Sequence, residues 1–186
     1  LSIIACKKEH ELITTDRTGE GVINDEDRTV IGNSIPRFTF GLNLGFEYKG
    51  FDFSCFFQGV GKADGYVTME AIQPMGINGA RKEHYKESFN PQDPKPGAYF
   101  PRILSSDYNY AYMSHWVQDA SYIRLKNLQI GYSFKIKGLN QLRVYASGEN
   151  LFTATKYRTW DPETPVGARG FYPNVAVYSM GVNLNF

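Results

Sequence analysis

Residues Arg37 to Val60 read R-F-T-F-G-L-N-L-G-F-E-Y-K-G-F-D-F-S-C-F-F-Q-G-V. Phe38, Phe40, Leu42, Leu44, Phe46 and Tyr48 alternate with Thr39, Gly41, Asn43, Gly45 and Glu47. A period of two marks a strand with one apolar and one polar face. Lys49-Gly50 is a two-residue turn, and beyond it Phe51, Phe53, Cys55 and Phe57 alternate with Asp52, Ser54, Phe56 and Gln58. Phe56 is the one break in the pattern. A two-residue hairpin sets Tyr48 opposite Phe51 and Phe46 opposite Phe53, so the large apolar residues of both strands share a face. The unbroken run from Phe38 to Tyr48 fits the roughly 9–11 residues of a tilted bilayer-spanning strand, whereas strands of soluble domains run about 5–6. The pair is expected to face lipid, with Cys55 on the lipid side.

The same alternation closes the sequence. Tyr178, Met180, Val182, Leu184 and Phe186 alternate with Ser179, Gly181, Asn183 and Asn185. A soluble sheet exposes such an edge at the risk of aggregation; the closing strand of a membrane barrel pairs with the first strand and leaves no free edge. Two more strands are expected, one within Asp119–Phe134 and one over Leu142–Phe152. In the first, Arg124 and Lys126 share the parity of Leu128, Ile130, Tyr132 and Phe134. An Arg on the lipid face at mid-bilayer costs about 2–4 kcal/mol, so either this part stands above the membrane or a bulge exchanges the faces.

Five strands result, joined alternately by short turns (49–50, 135–141) and long segments (61–118, 153–174), the latter rich in Pro and Gly. Short periplasmic turns and long extracellular loops alternate in this way in outer-membrane barrels. Residues 1–36 then form an extracellular loop segment, and residues 37–186 carry the barrel strands and outer loops. The fold class is all-β, an antiparallel transmembrane β-barrel segment of about five C-terminal strands. Five strands cannot close a barrel, so a larger barrel is expected. Within the long segment, Ala80–Ser88 reads as a short helix.

The 186 residues carry a net charge of +1, with 13 Phe, 13 Tyr and 2 Trp. A balance so close to neutral gives no support to nucleic-acid binding. No apolar run approaches the roughly 18 residues of a membrane helix, a test that barrel strands escape. The opening L-S-I-I-A-C-K-K places Cys6 after a small residue, the form of a lipidated cysteine. Cys6 and Cys55 make neither a disulfide framework nor a metal motif.

Asp16–Asp27 reads D-R-T-G-E-G-V-I-N-D-E-D. On a twelve-residue calcium loop, Asp16, Thr18 and Glu20 fall at positions 1, 3 and 5. Val22 offers its carbonyl at 7, Asn24 falls at 9, and Asp27 closes at 12. Calcium is the expected ion, with an acidic solvated turn as the plain alternative; Thr18 is a weak ligand and Asp27 is shorter than the usual Glu. No catalytic pattern emerges. His10, His84 and His115 lack ligand spacing, and no nucleophile stands in a recognisable motif; the chain is not expected to be an enzyme. Trp116, Tyr108, Tyr110, Tyr112 and Trp160 are candidates for stacking on sugars or for packing their own loops. Together with the acidic turn they motivate a second reading, a soluble calcium-dependent carbohydrate-binding β-sandwich.

Several stretches resemble the C-terminal end of SusC/RagA-type TonB-dependent outer-membrane transporters. They are D-R-T-V-I-G-N (27–33), G-L-N-L-G-F-E-Y-K-G-F-D-F-S (41–54), F-F-Q-G-V (56–60), W-V-Q-D-A-S-Y-I-R-L-K-N-L-Q-I-G-Y (116–132), G-E-N-L-F (148–152), K-Y-R-T-W-D-P-E (156–163) and the last strand. The resemblance implies a barrel of about 22 strands with a luminal plug and a TonB box that couples to the TonB complex. It also implies a SusD-like lipoprotein partner and oligosaccharide or peptide substrates in the outer membrane of a Gram-negative bacterium. In that family the final strand with its terminal aromatic, here Phe186, directs assembly. The fragment alone is not transport-competent.

Overall fold

A computed structural model describes residues 16–22, 24–67, 72–73, 80–94, 96–103, 113–138, 140–158, 160–164, 172 and 174–185. Phe186, Cys6, His10, Tyr108, Tyr110 and Tyr112 lie outside the described residues. The chain divides into two compact units, Ile35–Asp64 with Asp119–Phe186 and Leu1–Ser34 with Gly65–Gln118.

The first unit is an antiparallel sheet of five strands. They are β1 (Phe38–Tyr48), β2 (Phe51–Gly61), β5 (Tyr122–Phe134), β6 (Gln141–Thr155) and β7 (Val177–Asn185), in the order β1-β2-β5-β6-β7. Lys49 and Gly50 both take positive φ, 49° and 89°, the conformation that suits a two-residue hairpin turn to the twist of its strands. The register puts Tyr48 opposite Phe51 and Phe46 opposite Phe53, as the alternation predicts. Leu44, Cys55, Leu128, Gly148 and Tyr178 then form one transverse row, and Phe46, Phe53, Ile130, Ala146 and Met180 the next. The apolar face is broadly exposed: Phe38 to Tyr48 along β1 and Tyr178 to Leu184 along β7 leave large side chains open. The opposite face carries the rows Gly45–Ser54–Gln129–Ser147–Ser179 and Glu47–Asp52–Gly131–Tyr145–Gly181.

Between the two alternatives for Arg124, the structure selects the bulge. Phe56 pairs with Asn127 but Phe57 with Leu125, leaving Lys126 as an extra residue in β5. On the other side Asn127 pairs with Glu149 and Leu125 with Phe152, so Asn150 and Leu151 together face Lys126, one residue more in β6 than in β5. Asn150 takes φ 51° there, and Asn is one of the few non-Gly residues that enters this region readily. A bulge inserts one residue and exchanges the faces beyond it. Below Lys126 the even residues of β5 share the apolar face; above it Leu125 and Ile123 do, and Arg124 lies opposite Gln58 on the polar face. β6 runs three residues further than the alternation from Leu142 to Phe152 suggests, because Ile123 and Tyr122 continue to pair with Ala154 and Thr155.

The second unit holds the helix α1 (Lys82–Glu87), within the span expected for it. Around it the chain packs a small aromatic core in which Trp116, His84, Val67 and Ile72 are essentially inaccessible. Val67 N–H donates to the Trp116 carbonyl at 3.1 Å, and short strands β3 (Asp64–Tyr66) and β4 (Val117–Asp119) pair with each other. No helix among the described residues is long and apolar enough to cross a membrane.

The tightest approach on the polar face tests the register. A Cβ placed on Gly181 would lie 2.4 Å from the Tyr145 ring. In the full-length protein, Gly181→Ala is expected to destabilise the barrel by about 1–3 kcal/mol through overpacking. Adding Tyr145→Ser is expected to recover most of the loss. Urea unfolding of the refolded barrel reads both; an unchanged midpoint in Gly181→Ala contradicts the register of β6 with β7.

Candidate functional site

Among the described residues, three polar clusters and an aromatic core bring together groups capable of specific chemistry. The first lies on the polar face at the short-turn end. Arg143 Nε and Nη2 donate to Asp52 Oδ1 and Oδ2 at 2.9 and 2.5 Å, a bidentate pair. With its amide oxygen turned toward the guanidinium, Gln129 accepts from Arg143 Nη1 at 3.2 Å and from Nη2. The guanidinium also stands 4.9 Å over the Tyr145 ring. The pair crosses β5 above Gly131, where a Cβ would meet the Asp52 oxygens at 2.5 and 2.6 Å and Arg143 Nη2 at 2.8 Å. A side chain at this position would have to push the bridge aside.

The second cluster sits at the other end of the sheet, beyond the bulge. Arg124 is 1% exposed and donates to both oxygens of Asp161 at 2.8 Å and to Glu163 Oε2 at 2.9 Å. Lys126 Nζ reaches Glu163 Oε2 at 2.8 Å, Tyr122 Oη donates to Glu163 Oε1 at 3.0 Å, and Asn174 Nδ2 to Oε2 at 2.6 Å. Two cations face two carboxylates, so the buried charge is balanced, as burial requires. Asp161-Pro162-Glu163 makes this possible. Asp161 Oδ1 accepts the Glu163 N–H at 2.9 Å and its carbonyl accepts the Thr164 N–H at 2.9 Å, a turn of the kind Asp and Pro favour. The stretches S-Y-I-R-L-K and W-D-P-E thus meet: the second pins the segment after β6 to the strand that carries the first. Sequence reasoning saw the misplaced parity of Arg124 but not its acidic partners, which lie 37 and 39 positions away.

The third cluster is the acidic turn. Asp16 Oδ1 accepts the Gly19 N–H and Oδ2 the Gly21 N–H, each at 2.6 Å. Asp27 accepts from the N–H groups of Arg17 (2.7 Å), Thr18 (3.1 Å) and Asn24 (3.0 Å). The Thr18 hydroxyl lies 3.2 Å from Asp16 and 3.3 Å from Asp27, so the two carboxylates converge on one hydroxyl. Asn24 Nδ2 donates to Glu20 Oε2 at 3.3 Å. Among the described residues no three His, Cys, Asp or Glu side chains cluster as metal ligands. The amides of Gly21 and Gly19 hold the Asp16 carboxyl below its ordinary value of 3.8, and those of Asn24, Arg17 and Thr18 do the same for Asp27.

In the loop unit, Trp116 is fully buried, 6.0 Å from the Phe100 ring and 5.9 Å from Tyr99. It packs its own loop, the second of the two uses open to it, and is closed to any sugar. His84 stacks edge-on against Phe100 at 4.6 Å, and its Nδ1 accepts the Arg81 N–H at 3.1 Å. His115 holds the Tyr99 carbonyl at 2.9 Å, and burial keeps its imidazole below the usual histidine range. The two histidines are parts of an aromatic core.

A sheet with an exposed apolar face, a polar face of small and hydrogen-bonded side chains, and short turns at one end is the wall of a transmembrane β-barrel. No family model matches the chain. It is 35% identical over 195 residues to a TonB-dependent receptor, P3, of Formosa agariphila, covering 92% of this chain. It is 27% identical over 190 residues to the TonB-dependent receptor SusC of Bacteroides thetaiotaomicron, covering 96% of this chain. The chain spans 18% of the length of each. Its fold matches the RagAB peptide importer in an open-open state with a TM-score of 0.75 at 22% identity, over 98% of this chain and 21% of that one. The chain belongs to the TonB-dependent receptors, the group that includes SusC, and forms part of their barrel.

Two outcomes test this geometry in the full-length receptor. Arg124→Ala leaves two largely buried carboxylates facing each other, and breaking such a pair costs about 3–5 kcal/mol. The segment 156–164 is expected to become protease-sensitive in this variant and to stay protected in Lys82→Ala; equal protection in both contradicts the anchor. For the acidic turn the carboxyls of Asp16 and Asp27 are depressed in the folded state. Their contribution is therefore complete above the ordinary aspartate value and is lost as pH falls through the lower folded value. Hydrogen exchange at Gly19 and Gly21, corrected for intrinsic rate, is expected to accelerate only in that acid range. Acceleration already at pH 5–6 contradicts it.

Proposed function

We propose that the polypeptide containing this segment is an outer-membrane nutrient transporter of a Gram-negative bacterium. It imports oligosaccharides or peptides, works with a SusD-like lipoprotein, and draws energy through the TonB complex. Residues 37–186 supply wall strands and outer loops, and residues 1–36 an extracellular segment. The observation that carries this reading is the register, which lines up apolar residues of all five strands on one face. A soluble carbohydrate-binding sandwich would have to cover that face; Trp116, one of its motives, is buried in its own loop.

The wall's part in import is mechanical. The Asp52–Arg143 bridge and the glycine rows keep the polar face low and charge-balanced, and the Arg124 cluster fixes where the loop after β6 leaves the wall. The test is uptake of labelled oligosaccharide or peptide by cells carrying the full-length receptor and its lipoprotein partner. Uptake is expected to stop with a protonophore and on deletion of the receptor. Uptake that persists without a proton-motive force contradicts TonB coupling.

A cation in the acidic turn forms a second part of the proposal. It is favoured by the convergence of Asp16 and Asp27 on the Thr18 hydroxyl. Calcium is then expected to protect Asp16–Asp27 from proteolysis, and Asp16→Ala to abolish the protection. Identical digestion with calcium and with chelator leaves a turn closed by its own amides alone.

A further inference from the structure

We infer that the short-turn rim formed by Lys49, Lys135 and Lys137 beside Tyr48, Tyr132 and Phe134 binds the phosphate headgroup of an anionic glycerophospholipid. The inference rests on the reading of the sheet as a membrane wall and adds a ligand class to its rim.

Two turns meet there. Phe51 pairs with Tyr132, and the Gly50 carbonyl accepts the Ser133 N–H at 2.7 Å, so the β1–β2 turn lies against the strand end that leads into the β5–β6 turn. The turns read K-G and K-I-K-G-L-N-Q, three lysines with no Asp or Glu. The acids of the adjoining strands, Glu47 and Asp52, stand opposite each other in register on the polar face. Asp52 is further engaged by Arg143. The lysines themselves are exposed.

The surface beside them is apolar and aromatic. Tyr48 is 65% exposed, and Lys49 Nζ stands 5.2 Å over its ring, which draws that ammonium to the apolar side of the rim. Tyr132 and Phe134 pack edge to face at 4.7 Å and stay half open. Aromatic rings of this kind settle at headgroup depth, and lysine stems lie along apolar surface while the ammonium reaches the polar zone. Three lysines beside one carboxylate not engaged by Arg143, that of Glu47, meet phosphate at that depth, and each lysine near an anionic surface favours it about fivefold. The anion is a phospholipid headgroup because the cations border the short-turn end, which faces the periplasmic leaflet in a barrel of this kind.

The test uses the full-length receptor in nanodiscs of phosphatidylcholine doped with headgroup-photoactivatable phosphatidylglycerol or, in parallel, phosphatidylcholine of the same chains. Peptides carrying residues 48–51 and 132–138 are expected to label at least about tenfold more with phosphatidylglycerol. Combined Lys49→Gln, Lys135→Gln and Lys137→Gln is expected to erase the preference, while Lys82→Gln with Lys86→Gln leaves it. Equal labelling by the two lipids, a preference that survives the triple variant, or competition by lipopolysaccharide but not by phosphatidylglycerol overturns the inference. An acyl-chain photoprobe separates this failure from failure of the wall itself. Labelling at Leu42, Leu44 and Phe46 without headgroup preference defeats only the rim site, and no acyl labelling there defeats both.

Discussion

The structure depends on one constraint: in hydrocarbon, every backbone N–H and C=O must be satisfied within the protein, so a sheet crosses a membrane only with its strands paired and its side chains sorted. The register meets it for β2, β5 and β6, which pair on both sides, while β1 and β7 each pair on one. Each strand donates its apolar residues to one face, and the hairpin turn at Lys49-Gly50 sets the phase for the first two. Because the side-chain period is two, one slipped residue would turn the apolar set of a strand to the other face.

The bulge at Lys126 is where that constraint meets charge. Without it, Arg124 would share a face with Leu128 and Ile130; with it, Arg124 turns to the polar side and finds Asp161 and Glu163. The extra residue of β6 accommodates the change on the partner strand, and Asn150 takes a backbone conformation there that few residues tolerate. A local irregularity in pairing thus serves the loop, since the same arginine that leaves the lipid face anchors the segment after β6.

Much of the fold was legible because alternation is a local signal. Phe38–Tyr48, Phe51–Phe57 and Tyr178–Leu184 each show their face in the sequence alone, and the partners across the first turn follow from its length. The acidic carboxylates of the second cluster were not legible. Nothing near Asp161 or Glu163 in sequence points to Arg124, and only the register and the Asp-Pro turn bring them together. The same holds for Asp52 and Arg143, 91 positions apart, though Gly131 between them carried a faint sign, a glycine inside an otherwise well-formed strand. For Trp116 the sequence left loop packing and sugar stacking both open, because an aromatic residue in a long loop reads alike in either role; its burial decides for packing and is a tertiary fact.

The central claim is the exchange of faces at Lys126. A nitroxide scan along β5 of the full-length receptor in a bilayer measures it directly, through collision with oxygen against a water-soluble nickel reagent. Oxygen contact is predicted to peak at positions 123 and 125 and then, past the bulge, at 128, 130 and 132. A single unbroken period of two from 122 to 134, or no periodicity at all, would contradict the account.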